Sequence, residues 1–195
     1  MEKLNNQLYP VFFKLNNVRL LIVGAGEVGN EKLHFILKSS PNANITIVAP
    51  WANDEVTQLI KNKDYNIRWI KREVEGIDIS NHDIIIAATN FEAINLSVYQ
   101  FAKKYGKIVN VADTPQLCDF YMGAIVTRGD LKVAISTNGK SPTFAKRFRE
   151  FLEDALPETS HDLIQNLKKI RDKLSGDFYD KVNALNKVTS TLLKE

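Results

Sequence analysis

VRLLIVGAGEVGNEK, residues 18–32, is the stretch that decides the fold predicted for this chain. Its apolar run LLIV, residues 20–23, is typical of a parallel strand that is buried on both faces. Three glycines follow with the spacing G-x-G-x-x-G, and residues 31–37 after them have the apolar pattern of a helix. A strand, a glycine-rich turn and a helix in this order form the structural context of a dinucleotide-binding motif.

The three glycines of this motif have separate roles in holding a dinucleotide. Gly24 permits the tight turn, Gly26 lets the backbone approach the pyrophosphate, and Gly29 lets the helix lie close to the strand. The start of the helix adds free N–H groups and the positive end of the helix dipole. The same spacing also occurs in tight strand–helix turns of other α/β proteins, so the motif alone leaves that alternative open.

Strands and helices continue to alternate as far as residue 113. Strands are predicted at residues 45–48, 67–70, 84–88 and 107–111, and helices at residues 54–62 and 91–105. This alternation predicts an α/β fold, a Rossmann-type doubly wound parallel sheet. Ligands of such sheets bind at the carboxyl ends of the strands.

The pattern changes after the last of these strands. Residues 124–128 and 131–136 flank a Gly-Asp turn and predict an antiparallel hairpin. Ser-Pro at 141–142 is a good helix start, and the helix is predicted to run to about residue 155. Two amphipathic helices, residues 160–174 and 177–193, close the chain. We therefore predict a dinucleotide-binding domain at 1–113, a hairpin–helix unit for dimerisation and the substrate cleft at 114–156, and a helical tail at 157–195.

Composition limits the classes of function. The chain has 195 residues, 44% of them hydrophobic, and its net charge of +3 is too small to indicate a nucleic-acid partner. No apolar run approaches the roughly 20 residues that a membrane-spanning helix needs, and the first residues do not form a secretory signal. A single cysteine cannot form an internal disulfide, which favours a reducing, cytoplasmic location. The three histidines are far apart in sequence, so no metal site is expected.

The second predicted strand lacks one feature of a typical NAD site. An Asp or Glu usually follows this strand, about 20 residues after the glycines, and binds the adenosine ribose. Here the strand leads into Pro50 and Trp51, with no acid at its tip and no Arg nearby to bind the 2′-phosphate of NADP. The motif alone therefore does not separate NAD from NADP.

Two further segments resemble the precorrin-2 dehydrogenase family of siroheme biosynthesis. They are NVADTPQLCDFYMGA, residues 110–124, and ISTNGKSP, residues 135–142. The resemblance covers about residues 8–155 in the right order, and the chain looks like the stand-alone form of the enzyme. It implies NAD-dependent oxidation of precorrin-2 to sirohydrochlorin by a homodimer. Some members of that family then insert ferrous iron, and the sequence leaves this second activity open.

The resemblance also implies roles for individual residues. The family's cofactor contacts map onto Glu27, Val28, Pro50, Trp51 and Thr89, in addition to the glycines. Its catalytic aspartate maps onto Asp113, and its loop beside the tetrapyrrole maps onto Ser136 and Thr137. The missing acid after the second strand is a feature that this family shares.

Asp113 has two interpretations on its own chemistry. At the carboxyl end of a strand it can accept the proton that is lost when the tetrapyrrole is oxidised, or hold the macrocycle nitrogens. We expect its apolar neighbours to desolvate it partly. Alternatively, it is a turn-capping Asp before Thr114-Pro115. Nearby Cys118 is interpreted as a core residue rather than a metal ligand.

A basic run follows the hairpin. Lys140, Lys146, Arg147 and Arg149 carry four positive charges, and no acid lies between residues 140 and 149. A substrate with many carboxylates needs such partners, and Arg binds carboxylates through two hydrogen bonds. We predict that Lys140, Arg147 and Arg149 bind the substrate. A solvated helix face is the alternative for this run, and a non-catalytic NAD(H)-binding regulatory module is the alternative for the whole chain.

Overall fold

The main sheet contains five parallel strands in a computed structural model that describes residues 6–190. The strands are β1 (Leu20–Val23), β2 (Asn44–Val48), β3 (Asn66–Ile70), β4 (Ile84–Ala87) and β5 (Ile108–Val111). Their order is β3-β2-β1-β4-β5, so the chain moves outward from β1 in one direction and then returns to its other side. The predicted doubly wound, Rossmann-type sheet is confirmed.

Four helices connect these strands. They are α1 (Glu27–Ser39), α2 (Asp54–Lys61), α3 (Gly76–Ser80) and α4 (Glu92–Lys104). The first begins four residues earlier than predicted, because Gly26 is its N-cap and the last glycine of the motif lies inside it. The third was not predicted, because its five residues are too few to show a helical period.

The core is divided between the two faces of this sheet. Leu20 and Ile22 of β1 belong to one cluster of buried side chains, while Leu21 and Val23 belong to the other. All four are at most 2% exposed, as expected for a strand covered on both faces. Burial of each large side chain contributes about 1.5–3 kcal/mol. The sheet is therefore stabilised on both faces, and it fixes the positions of the loops at its carboxyl edge.

The predicted hairpin and the three helices after it are also present. They are β6 (Ala124–Arg128), β7 (Leu131–Ile135), α5 (Pro142–Ala155), α6 (Ser160–Lys173) and α7 (Phe178–Thr189). Ser141 caps α5 as predicted, since its hydroxyl oxygen accepts a hydrogen bond from Phe144 N–H at 3.2 Å. The predicted end of the last helix, residues 191–193, lies outside the described residues.

The chain divides into two compact units. The first contains the described residues up to Met122 together with Asn138–Lys140, and the second contains Gly123–Thr137 and the residues from Ser141 onward. In the second unit the imidazole of His161 lies against Gly129 of the hairpin turn, where any side chain would clash with it. The helical tail thus packs on the hairpin, and the three-domain division at residues 113 and 156 stays a prediction. Within residues 6–190 no helix is long and apolar enough to cross a membrane.

An ion pair fixes the connection between β3 and α3. The Arg72 guanidinium donates to both carboxylate oxygens of Asp78, at 2.7 and 2.8 Å, and Asp78 is only 5% exposed. Burial by itself raises the pKa of Asp78, but the hydrogen bonds from Arg72 and from Glu75 N–H outweigh it, so the pKa is lowered. The ionised carboxylate therefore stabilises the folded state.

We expect Asp78→Asn to lower the free energy of unfolding at pH 7 by about 1–3 kcal/mol, since it removes the buried carboxylate to which Arg72 donates two hydrogen bonds and leaves only the longer contact with Glu75 at 3.8 Å. The pKa of Asp78 is lower in the folded than in the unfolded protein. Its contribution to the free energy of unfolding is therefore fully present above the unfolded pKa of about 3.9, and it is lost as pH falls through the folded pKa. Urea unfolding of both proteins from pH 7 to pH 3 measures it. A difference that stays constant over this range would contradict the assignment.

Candidate functional site

A cavity of about 350 Å³ lies at the carboxyl edge of the parallel sheet, within the first unit. Such a volume is in the range of small-molecule and cofactor sites. Its wall is formed by the glycine loop, the tip of β2, the segment after β3, and the tip of β4 with the start of α4. The residues that line it are Val23, Gly24, Ala25, Gly26, Val48, Ala49, Pro50, Trp51, Glu73, Val74, Ala88, Thr89, Asn90, Phe91, Ala93, Ile94 and Ser97.

Close backbone approach explains two of the three glycines. Gly24 has φ +104°, and a Cβ there would lie 2.4 Å from Ala88 O. A Cβ on Gly29 would lie 2.3 Å from Gly24 O. Both positions are therefore closed to any other residue. Gly24 lets the end of β1 lie against Ala88 at the end of β4, and Gly29 lets the first turn of α1 lie against the end of β1.

Gly26 differs from the other two glycines because an added Cβ would meet no backbone atom. Its φ of −82° suits any residue, and the nearest atom to an added Cβ is at the far end of the Trp51 ring, 3.3 Å away. As the N-cap of α1 it has no side chain with which to bind the helix N–H groups. These N–H groups and the helix dipole therefore favour an anion in the space beside Trp51.

The predicted cofactor residues fall into two groups. Gly24, Gly26, Pro50, Trp51 and Thr89 line the cavity together. The others lie in the first turn of α1 and do not line it: the side chain of Glu27 is exposed, Val28 packs against the core, and Gly29 is buried. The roles of Glu27, Val28 and Gly29 in cofactor binding therefore stay predictions.

Asn95 organises the loop after β4 and was missed by the sequence analysis. It is 8% exposed, and its amide nitrogen donates to Thr89 O at 2.9 Å. Its amide oxygen accepts from Thr89 N–H at 3.2 Å and from the Thr89 hydroxyl at 2.8 Å. The available signal was a polar residue among the inward positions of a helix. These bonds hold Thr89 at the rim of the cavity.

Asp113 lies two residues beyond β5, in a turn with an unusual backbone. Its φ is +56°, in the left-handed region that non-glycine residues rarely adopt. Such conformations cost of order 1–3 kcal/mol and cluster at functional sites. Asp113 is exposed in the single chain, so the predicted desolvation by its apolar neighbours is wrong. It does not line the cavity, although its strand is next to β4.

Cys118 holds the turn that carries Asp113. Its sulfur accepts a hydrogen bond from Val111 N–H at 3.3 Å and lies 3.2 Å from Val111 O and 3.4 Å from Thr114 O. Burial raises the pKa of this thiol. The cysteine is thus a packed structural residue, as the sequence indicated. Residues 6–190 contain no group of three or more His, Cys, Asp or Glu placed to hold a metal ion.

The predicted substrate residues are placed as follows. Ser136 is exposed just after β7, and the Thr137 hydroxyl closes the loop by accepting from Ser141 N–H at 3.1 Å. Lys140 is exposed. Acidic residues of the same helix pair with the arginines. Arg147 contacts Glu150 at 3.0 Å, and Arg149 contacts Glu150 and Glu153 at 3.9 and 3.7 Å.

Comparison with known proteins agrees with this geometry. A family model described as "Putative NAD(P)-binding" matches residues 11–124, which is more than half of the chain and includes every residue of the cavity. The chain belongs to this NAD(P)-binding family. A second model, described as "Sirohaem biosynthesis protein central", matches residues 128–155, which run from the end of β6 through β7 and α5. The chain therefore takes a nicotinamide dinucleotide as its cofactor.

Curated relatives are siroheme synthases that are much longer than this chain. That of Psychrobacter sp. (strain PRwf-1) is 38% identical over 176 residues, which are 90% of this chain and 34% of the relative. That of Mannheimia succiniciproducens is 38% identical over 150 residues, 77% of this chain and 31% of the relative. The chain thus spans about a third of the length of these relatives.

A solved structure covers more of the chain. The protein named "SirC, precorrin-2 dehydrogenase" superposes with a TM-score of 0.71 and 29% identity, over 93% of this chain and 89% of that one. The resemblance to the precorrin-2 dehydrogenase family is confirmed by this match together with the siroheme synthases.

Proposed function

We propose that this chain oxidises precorrin-2 to sirohydrochlorin with NAD as the acceptor, in siroheme biosynthesis. The observation that carries the proposal is the similarity to a precorrin-2 dehydrogenase over nearly the whole of both chains. The glycine turn and the cavity beside it support the cofactor half of the reaction, because a close glycine turn at the start of a helix is the usual binding place of a dinucleotide pyrophosphate.

The reaction removes two hydrogens from the tetrapyrrole. NAD supplies the acceptor for one of them, which leaves as hydride. The other leaves as a proton, and we propose that the Asp113 carboxylate accepts it or passes it to solvent. The left-handed turn held by Cys118 presents this carboxylate at the edge where the strands end.

NAD rather than NADP is our proposed cofactor. The 2′-phosphate of NADP requires a cation, and Arg is its usual partner. No Lys or Arg is found among the described residues that line the cavity. Arg72, close by in sequence, donates to Asp78 and to Glu73 O. The 2′-phosphate of NADP would therefore lack a cationic side chain in this cavity.

The tetrapyrrole site is proposed to include Ser136, Thr137, Lys140, Arg147 and Arg149. The substrate's carboxylates would take over from the acids that now face the arginines. Arg147 is the better candidate for direct contact, because its side chain is 77% exposed and its pair with Glu150 is a weak surface pair. Arg149 is more buried and lies between two acids, which suits a supporting role.

The assay that tests this proposal follows NADH absorbance after precorrin-2 is added to the purified chain with NAD. NADH formation with matching sirohydrochlorin is the expected result. A parallel reaction with ferrous ion tests whether siroheme then forms, which decides the chelatase activity. Binding of NAD without any turnover of precorrin-2 would instead support a regulatory module.

A homodimer is the assembly that we propose, through α5. Phe144, Phe148 and Phe151 lie along one face of this helix, with neighbouring ring centroids 5.9 and 6.1 Å apart. All three are exposed in the single chain, whereas Ala145 and Leu152 on the adjacent face of the helix pack against the hairpin. A contiguous exposed aromatic stripe of this kind is typical of an interaction surface.

We expect the wild-type chain to be a dimer at micromolar concentration and Phe148→Asp to be largely monomeric, because it places a charge at the centre of the stripe. Light scattering measures both masses. Lys146→Asp, an exposed change on the same helix but outside the stripe, is the control and should remain dimeric. A monomeric wild type, or dimers of Phe148→Asp as stable as wild type, would count against this interface.

A further inference from the structure

Glu73 is the only charged residue among the described residues that line the cavity, and no role has yet been assigned to it. It lies three residues beyond the end of β3 and its side chain is exposed. Within residues 6–190 its carboxylate forms no ion pair, in contrast to Arg72 and Glu75 beside it. An acid free of structural partners in a cofactor cavity is available to a ligand.

The sheet order indicates which half of a dinucleotide Glu73 would meet. The pyrophosphate lies at the start of α1, and the adenosine ribose lies over the tip of β2. The neighbour of β2 on the side away from β1 is β3. The two strand ends are joined, since Ala49 N–H donates to Ile70 O at 3.2 Å and the Trp69 indole donates to Ala49 O at 3.0 Å. Glu73 is thus on the adenosine side of the cavity.

The backbone at Glu73 is held in place. Arg72 N–H donates to Ile70 O at 3.0 Å, which turns the chain back directly after β3. The Arg72 guanidinium donates to Glu73 O at 2.7 Å while it also binds the buried carboxylate of Asp78. Arg72 therefore holds the segment after β3 in place, and the next residue, Glu73, lines the cavity.

We propose that Glu73 accepts hydrogen bonds from the adenosine ribose hydroxyls and excludes the 2′-phosphate of NADP. It takes the role that an acid at the tip of β2 has in other NAD sites, but from the adjacent strand. The apolar side chains of Val74, Phe91 and Ile94 in the same wall suit the flat adenine ring, which leaves the carboxylate for the ribose. The inference rests on the proposed nicotinamide cofactor.

Calorimetric titration of NAD and of NADP into the purified chain tests this role without any tetrapyrrole. The wild type should bind NAD more tightly, and Glu73→Gln should reduce the NAD-to-NADP affinity ratio by roughly 10-fold or more, as expected when a charged hydrogen-bond partner is lost. Glu92→Gln is the matched control. It removes the same charge from an exposed residue between two cavity residues, without itself lining the cavity, and should leave the ratio unchanged.

The remaining outcomes separate this inference from the proposed function. An unchanged ratio in Glu73→Gln overturns the inference, and so does a wild type that binds neither dinucleotide. Nicotinamide hypoxanthine dinucleotide, which lacks the adenine amino group, is titrated as a third ligand. If Glu73→Gln changes only the affinity for this ligand relative to NAD, and leaves the NAD-to-NADP ratio unchanged, Glu73 binds the base and the ribose assignment is wrong. If the ratio falls as expected but precorrin-2 is not oxidised, Glu73 keeps its role and the proposed reaction fails.

Discussion

Asp113→Ala is expected to lower the rate of precorrin-2 oxidation by about 10²–10⁴-fold, the usual contribution of a positioned acid or base. NAD binding and the dimer should be unaffected, because Asp113 lies outside both the cavity wall and the aromatic stripe of α5. Steady-state kinetics with precorrin-2, together with an NAD titration of the same preparation, measure the two effects separately.

The positive φ of Asp113 means that the alanine variant needs a second variant as its control. Alanine at φ +56° costs about 1–2 kcal/mol, so some loss of activity could come from a displaced turn. Asp113→Gly removes the carboxylate without that cost, since glycine adopts left-handed backbone freely. The glycine variant should therefore be as inactive as the alanine variant while its thermal stability is equal to or above that of wild type.

Asp113→Asn distinguishes proton transfer from positioning. Asparagine tolerates the left-handed conformation and keeps the shape of the side chain, but it cannot accept the proton. Low activity in this variant supports a role as base. Activity near that of wild type makes Asp113 a positioning residue, and full activity of the glycine variant would remove it from the mechanism.

Gly26→Asp is expected to abolish NAD binding, the second large effect. Its carboxylate would occupy the space beside Trp51 and would also cap α1, so it would compete with the pyrophosphate for the same N–H groups. The fold should survive, because φ at Gly26 is ordinary and only the end of a side chain lies near an added Cβ. Isothermal titration with NAD and a thermal melt are the two measurements.

The other glycines of the motif cannot provide this test. Substitution of Gly24 or Gly29 drives a side chain into backbone oxygens at 2.4 and 2.3 Å, so loss of binding would be inseparable from loss of structure. Gly26→Ala is the useful control, since its methyl group meets only the Trp51 ring at 3.3 Å and should weaken NAD binding less than Asp does. Unchanged NAD affinity in Gly26→Asp would remove the glycine loop from the cofactor site.

The sequence by itself determined the parallel sheet and the glycine turn at its carboxyl edge. Strand and helix periods are local properties, and the Gly24–Gly29 motif is read from six neighbouring residues, so neither requires knowledge of distant contacts. Asp113 was likewise marked as a candidate from the sequence, through the resemblance of residues 110–124. The left-handed backbone of Asp113 and the hydrogen bonds of Cys118 to its turn were not predicted, because they depend on hydrogen bonds made once β5 is in place.

Only the tertiary structure decided the details of charge around the site. Glu73 lies 47 residues after Gly26 in sequence (73 − 26), and it lines the same cavity because strand order places β3 beside β2 and β2 beside β1. The ion pairs of the α5 arginines with Glu150 and Glu153 are local, at i+3 and i+4 of one helix, so the sequence already contained them. The side chains that line a cavity are set by where distant elements meet in space, and a linear pattern of charges does not contain that information.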